Sequence, residues 1–140
     1  MKIWLSSIYY SLLLFFAPIK GIIVIVALST MIDTAFGIWK AKNLGERVSS
    51  KAFRSGLVPK LLSYVGTVMM VYGSDVFIIN SLVSNVVDVE FMATKVIALT
   101  LIINEAKSID ESFEAVKGYS LIAKLLEIIN NLKDVKNNYN

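Results

Sequence analysis

Two long apolar stretches dominate the hydrophobic pattern of the chain, and each is interrupted by a single acid. The first runs from Gly21 to Trp39 and contains Asp33, and the second runs from Leu61 to Val83 and contains Asp75. A helix needs about 20 mostly apolar residues to cross the hydrocarbon core of a bilayer. The pattern therefore predicts transmembrane helices at 21–39 and 61–83.

Two further apolar stretches give a weaker membrane signal. Residues 3–17 end at Pro18 after about 15 positions, so this segment is either an interfacial helix or a short span. Residues 91–107 include Lys95, but the basic residues that follow them favour a third crossing. We predict an all-α integral membrane protein with three or four transmembrane helices in a membrane domain over residues 1–117.

The C-terminal segment 118–140 has the period of an amphipathic helix followed by a polar tail. Gly118 suits the end of the preceding helix, and Ser120 suits the N-cap of this one. The apolar stripe can pack on its own protein, rest on the bilayer surface or join copies of the chain. Its candidate oligomerisation residues are Leu121, Leu125, Ile128 and Leu132.

Basic residues cluster between the two strong spans, in what the pattern predicts to be a cytoplasmic loop from residue 40 to residue 60. The connection between Ser81 and Glu90 is acidic and carries no Lys or Arg. Because Lys and Arg are enriched on the cytoplasmic side, this connection should face outward and the C-terminus should be cytoplasmic. The predicted topology-determining residues are Lys40, Lys42, Arg47, Lys51, Arg54 and Lys60.

Composition narrows the class of protein further. Hydrophobic residues make up 56% of the chain and charged residues 18%, which is too apolar for a small soluble domain. The chain has no Cys and no His, so it lacks thiol nucleophiles and the commonest zinc ligands. It also shows no phosphate-binding loop or nucleophile elbow. We expect no enzymatic activity, no catalytic, metal or cofactor site, and no nucleic-acid partner.

Small and polar positions inside the spans are the candidate functional residues. Ser29, Asp33 and Gly37 recur every four residues, and small residues allow helices to approach closely. An acid facing lipid costs a few kcal/mol, so Asp33 should face inward. The second span has a small-residue face that includes Gly66 and Gly73. The acids can serve helix packing, line a pore formed by many copies, or couple to ions.

Asp75 differs from Asp33 in its position on the helix. It is turned by about 200° from Gly73, so it should meet a different neighbour or the outer headgroups. In the third apolar stretch, Asn104 and Glu105 form a further pair of polar candidates near its end. We include Asp75, Asn104 and Glu105 among the candidate pore or helix-packing residues.

Three sequence blocks resemble the phage holin family that includes toxin-release holins. The first is the run from Asp33 to Ala41, and the second comprises Ser49-Ser50-Lys51 followed by the run from Arg54 to Lys60. The third, Asn104 to Ile109, is similar to that family's Asn-Glu motif at the end of the last span. The resemblance implies a phage-encoded protein of the bacterial inner membrane that oligomerises and opens lesions.

The partners that this resemblance implies are the lipid bilayer, further copies of the chain, and a phage lysin or an exported protein. A second hypothesis is a non-lytic membrane anchor or structural oligomer, such as part of an export complex. In that case the C-terminal amphipathic helix would recruit a partner.

Overall fold

The computed structural model describes residues 2–83 and 88–138, and all regular secondary structure in these ranges is helical. This confirms the predicted all-α class. The helices are α1 (Lys2–Phe16), α2 (Lys20–Asn43), α3 (Ser50–Ser74), α4 (Asn80–Val83), α5 (Met92–Lys117) and α6 (Leu121–Asn138). A 3-10 turn joins α1 to α2, and a π-helical turn, Asp75–Ile79, joins α3 to α4.

Helices α2, α3 and α5 pack against one another and form the body of the protein. Helix α3 runs antiparallel to α5, since Lys60 contacts Glu105 in the middle of α5 and Tyr72, near the end of α3, contacts Phe91 just before α5. Helices α2 and α5 run in the same direction, since Asp33 and Glu105 share Lys60 and Trp39 contacts Phe113. The buried apolar side chains between these helices and the turn before α2 form a small core. They are Ile19, Val26, Val68, Tyr72 and Ala98.

Two helical segments of the described chain, Ser6–Asn43 and Phe53–Val83, are long and apolar enough to cross a membrane. Most of their side chains remain exposed, as expected for surfaces that face lipid rather than a protein interior. Helix α5 has 26 residues and is about 39 Å long at 1.5 Å per residue. It is long enough to cross, but Lys95, Glu105 and Lys107 interrupt its apolar stretch.

Helix α1 is attached to the bundle by its C-terminal end. Phe15 and Phe16 lie against Tyr72 of α3, and the Tyr72 hydroxyl donates a 2.9 Å hydrogen bond to the carbonyl of Phe15. Helix α1 has 15 residues, so it is about 22 Å long and shorter than a bilayer core of about 30 Å. Trp4 and Tyr9 are exposed, as aromatic residues at a membrane interface would be.

The basic segment 40–60 is not one loop, which corrects the sequence prediction. Helix α2 continues through Asn43 and α3 begins at Ser50, so only a short turn separates them. Lysines near the C-terminus of a helix interact favourably with its dipole, which explains why α2 extends through Lys40 and Lys42. Helix α3 includes Lys51, whose side chain lies outside the described residues, as do positions 84–87 of the acidic connection.

The sequence prediction that one helix ends at Gly118 and the next begins after Ser120 is confirmed by the boundary between α5 and α6. Gly118 follows α5 with a φ of 79° in the left-handed region, where glycine carries no Cβ penalty, and its amide donates to the Glu114 carbonyl at 2.8 Å. Ser120 precedes α6, and its hydroxyl oxygen accepts a 3.0 Å hydrogen bond from the amide of Ala123.

Candidate functional site

Three charged side chains, one from each main helix, meet inside the bundle. The ammonium Nζ of Lys60 in α3 donates a 2.7 Å hydrogen bond to Oδ2 of Asp33 in α2. The same nitrogen lies 2.6 Å from Oε2 of Glu105 in α5. This second contact is an ion pair without a hydrogen bond, and Oε2 has no hydrogen-bond partner among the described residues. We call Asp33, Lys60 and Glu105 the ion triad.

The ion triad is largely withdrawn from solvent. The side chains of Glu105 and Asp33 are 2% and 12% exposed, whereas that of Lys60 is 30% exposed. Removing an ion from water costs several kcal/mol, so each carboxylate depends on the shared ammonium. When all three groups are ionised, two negative charges and one positive charge leave a net charge of −1.

Neutral groups complete the surroundings of the ion triad. The ring of Tyr64 in α3 lies beside the ammonium group, with its centroid 5.8 Å from Nζ of Lys60. Ser108 of α5 lines the same cavity as Asp33 and Lys60. The arrangement therefore links α2, α3 and α5 through polar contacts at one depth of the bundle.

A cavity of about 450 Å³ lies beside the ion triad, where the ends of α2 and α5 approach the start of α3. Asp33 and Lys60 form part of its wall, and Glu46 and Arg47 from the turn between α2 and α3 line its outer part. Lys60 is the member of the triad with the largest exposed fraction. The cavity therefore gives the solvent at the basic end of the bundle a route towards the ammonium group.

Asp75 lies far from the ion triad, about 22 Å further along α3 from Lys60 at 1.5 Å per residue. It is fully buried and accepts hydrogen bonds from the first turn of α5: from the amides of Ala93 (3.3 Å) and Thr94 (2.6 Å) and from the Thr94 hydroxyl (2.5 Å). A carboxylate is favoured at a helix N-terminus because unpaired amides and the helix dipole point towards it.

The residue that precedes α5 explains why this cap comes from another helix. Phe91 occupies the N-cap position with a φ of 53° and makes no side-chain capping bond. Its ring packs edge-on against Tyr72, with the ring centroids 5.1 Å apart. Asp75 therefore supplies the acceptor that the N-cap residue lacks. The different neighbour predicted for Asp75 is the N-terminus of α5.

The remaining predicted positions do not join the ion triad. The Ser29 hydroxyl bonds to the backbone of its own helix, and Asn104 is exposed beside the buried Glu105. A Cβ atom added to Gly37, Gly66 or Gly73 would meet no atom within 4 Å from another part of the described structure. Among the described residues, the glycine faces therefore do not mediate close contacts between helices. Larger residues such as Val26 and Val68 form that core instead.

Sequence reasoning missed the role of Lys60, which was predicted to be a topology signal in a loop. A signal was present in the spacing. Asp33 lies ten residues before the end of α2 at Asn43, and Lys60 lies ten residues after the start of α3 at Ser50. An antiparallel helical hairpin places two such positions at the same depth. Finding the turn at 44–49 would therefore have predicted the pair.

The chemistry of the ion triad is that of a structural and electrostatic contact. Within the described residues, no group of three or more Asp and Glu side chains is placed to hold a metal ion. Two carboxylates that share one lysine can join three helices, and the loss of any contact leaves a buried charge. The geometry defines a helical bundle whose apolar outer surface suits a membrane and whose interior is held together by ions.

A comparison with models of protein families identifies the family of this helical bundle. The model of the bacteriophage holin family matches residues 11–134, and the chain belongs to that family. The match includes both apolar segments, all three residues of the ion triad and most of α6. No significant match was found among curated proteins or among solved structures.

Proposed function

We propose that this protein is a holin that oligomerises in the bacterial inner membrane and forms lesions through which a lysin or another protein leaves the cell. The observation that carries the proposal is the family match over residues 11–134. Two apolar helical segments with mostly exposed side chains support it. The activity requires no cofactor, because helix packing in the membrane and collapse of the membrane potential supply the work.

In the proposed topology, α2, α3 and α5 cross the membrane and α1 lies at the outer interface. Helix α5 qualifies because its most buried acid, Glu105, is paired with Lys60 inside the protein. Its outer surface presents Val96, Leu99 and Ile103, each about half exposed, to the surrounding lipid. The basic end of the bundle and α6 then face the cytoplasm, in agreement with the positive-inside rule.

We further propose that the ion triad holds each protomer closed before lesions form. In this conformation Asp33 is buried between helices, so it is not on a surface that could line a channel between copies. Lining a lesion with Asp33 would require α2 to separate from α3 and α5. Opening would then break the contacts of Lys60, and water in the lesion would replace them.

The glycine positions are the proposed contacts between copies. A Cβ atom at Gly37, Gly66 or Gly73 would meet no atom of the described residues within 4 Å apart from its own stretch of helix. Another helix could therefore approach these positions, of which Gly37 borders the cavity beside the ion triad. Small residues favour close helix association in membranes, where burial of apolar surface gives no driving force.

The second candidate function is a non-lytic membrane anchor or structural oligomer. The observation that favours it is the uncovered apolar face of α6, where Leu125 and Leu132 are 59% and 64% exposed. In this case α6 would recruit a partner, and the membrane would remain intact.

Induced expression in a bacterial host separates the two functions. A lysin without its own export signal is produced together with the chain, and three quantities are followed: membrane potential, release of a cytoplasmic enzyme, and the amount of chain in the membrane fraction. A holin should collapse the potential abruptly and release the lysin. If the chain accumulates in the membrane fraction while the potential and the cytoplasmic enzyme are retained, the holin function is refuted and the anchor is favoured.

A further inference from the structure

Helix α6 carries a broad apolar face that nothing covers in the described part of the protomer. By the helical period of 100° per residue, the residues of this face span about 160°. Such a face is wider than the seam of a two-stranded coiled coil, and α6 is only about two heptads long where coiled coils need three or more. The exposed residues of the face are Leu125, Leu126, Ile128, Ile129 and Leu132.

The start of α6 is fixed to the end of α5. Asp110 accepts hydrogen bonds from the Leu121 amide at 2.6 Å and the Ile122 amide at 3.2 Å, and the Ser120 hydroxyl donates to its second oxygen at 2.6 Å. These bonds satisfy amides of the first turn that have no partner within the helix. The beginning of α6 is therefore held close to the bundle.

Aromatic rings mark the level at which α6 begins. Trp39 of α2 stacks on Phe113 of α5 at 5.9 Å between ring centroids, and Phe113 meets Tyr119 edge-on at 5.5 Å. Trp and Tyr favour the boundary between lipid tails and headgroups. Lys40 follows Trp39 directly and belongs to the basic end of the bundle. Helix α6 thus begins at the headgroup level of that end.

The charges of α6 complement an anionic surface. Lys124 lies at the edge of the apolar face, and its ammonium sits 4.8 Å from the centre of the Tyr119 ring. Glu127 is turned by about 200° from Leu125 and so lies on the opposite side of the helix. A lysine beside the apolar face and an acid away from it suit a helix lying among anionic headgroups.

We infer that α6 is an interfacial helix that lays its apolar face into the cytoplasmic headgroup layer and binds anionic lipid there. The inference rests on the membrane location in the proposed function, but not on lytic activity. In this inference, lipid contacts the apolar face of α6. If α6 instead bound a second copy of the chain or another protein, that face would be covered by protein.

The absence of Cys from the chain allows a direct test on the full-length protein. Single variants Leu125→Cys and Ile129→Cys on the face, and Glu127→Cys opposite, carry an environment-sensitive fluorophore. The protein is reconstituted in phosphatidylcholine vesicles with and without phosphatidylglycerol. Probes on the face should emit at shorter wavelength and be quenched by spin-labelled lipid, while the opposite probe should be quenched by aqueous iodide.

Three results would overturn the inference. Equal iodide quenching at all three sites would place α6 in water. Protection of the face probes from both quenchers, with disulfide formation between copies through Leu125→Cys, would assign the face to a second copy. Met70 on α3 is 77% exposed, so a fluorophore on Met70→Cys reports whether the bundle has inserted into the bilayer. Failure of lipid quenching at Met70 would overturn the membrane location and the inference together.

A matched pair of charge variants tests the lipid chemistry. Lys124→Gln should reduce the effect of phosphatidylglycerol on the Leu125 probe, because it removes the cation beside the apolar face. Glu127→Gln also removes one charge, but from the opposite side, and should not reduce that effect. Equal behaviour of the two variants would contradict binding of anionic lipid through Lys124.

Discussion

Replacing Lys60 by Met is the most informative perturbation of the ion triad. The substitution keeps a long side chain but removes the only cation that contacts Asp33 and Glu105 in the described structure. The net charge of the site changes from −1 to −2 when both acids are ionised. Two buried carboxylates then face each other without a counter-ion, and we expect a large loss of stability.

The size of the expected stability loss follows from the distances between Lys60 and the two carboxylates and from the exposed fraction of Lys60. At an effective dielectric constant of about 20, each contact near 2.7 Å corresponds to roughly 6 kcal/mol of attraction, which desolvation largely offsets. Removing one partner of a buried pair costs about 3–5 kcal/mol. Lys60 is 30% exposed, so we take the lower end. A loss of about 3 kcal/mol corresponds to more than a hundredfold in the folding equilibrium.

The assay is unfolding of the purified protein in mixed micelles with a denaturing detergent, followed by tryptophan fluorescence. Trp39 stacks on Phe113 of α5, so its emission reports the separation of α2 from α5. Lys42→Met is the matched control, since Lys42 is exposed and lies outside the triad. Combining Lys60→Met with Asp33→Asn and Glu105→Gln removes every charge and should recover most of the loss.

Two outcomes would refute this reasoning. One is a stability of Lys60→Met within about 0.5 kcal/mol of the Lys42→Met control, which is the range of ordinary surface substitutions. The other is a triple variant no more stable than Lys60→Met alone, because the loss would then come from packing and not from uncompensated charge.

Three further predictions concern other parts of the protein. Asp75→Ala should cost about 2 kcal/mol in the same unfolding assay and Asp75→Asn less, because Asn keeps an acceptor for the α5 amides; equal losses would contradict capping. The hydrogen bond from Ser120, with the amides of α6, holds the pKa of Asp110 below its usual 3.8. The stabilisation of the start of α6 by ionised Asp110 should therefore be fully present above pH 3.8 and lost as the pH falls through the lowered pKa of Asp110. Amide exchange at the start of α6, corrected for intrinsic rates, should show this loss, and Asp110→Asn should abolish the pH dependence. Gly37→Leu should change the size of cross-linked oligomers without lowering protomer stability, since a Cβ there meets no atom within 4 Å; unchanged oligomers would exclude Gly37 as a contact.

Features that depend on neighbours in the sequence were predictable. The caps at Gly118 and Ser120 involve residues three or four positions away, so residue type alone indicates them. The helical period likewise predicted that Asp75 would not share the face of Gly73. The cluster of Lys and Arg between the two spans predicts a loop at 40–60, but Lys and Arg are also good helix formers, and α2 and α3 extend into this segment.

Periodicity, capping and motif order are local properties, so the amino-acid sequence was sufficient to predict a helical chain, the positions of its apolar segments, the boundary between α5 and α6, and the resemblance to holins. The identity of the charges that are buried together, and of the helix end that Asp75 caps, required the packed structure. A buried charge needs a partner from another element, and the packing of α2, α3 and α5 selects that partner. The sequence predicts Lys60 to be a topology signal, whereas the structure shows it at the centre of the ion triad.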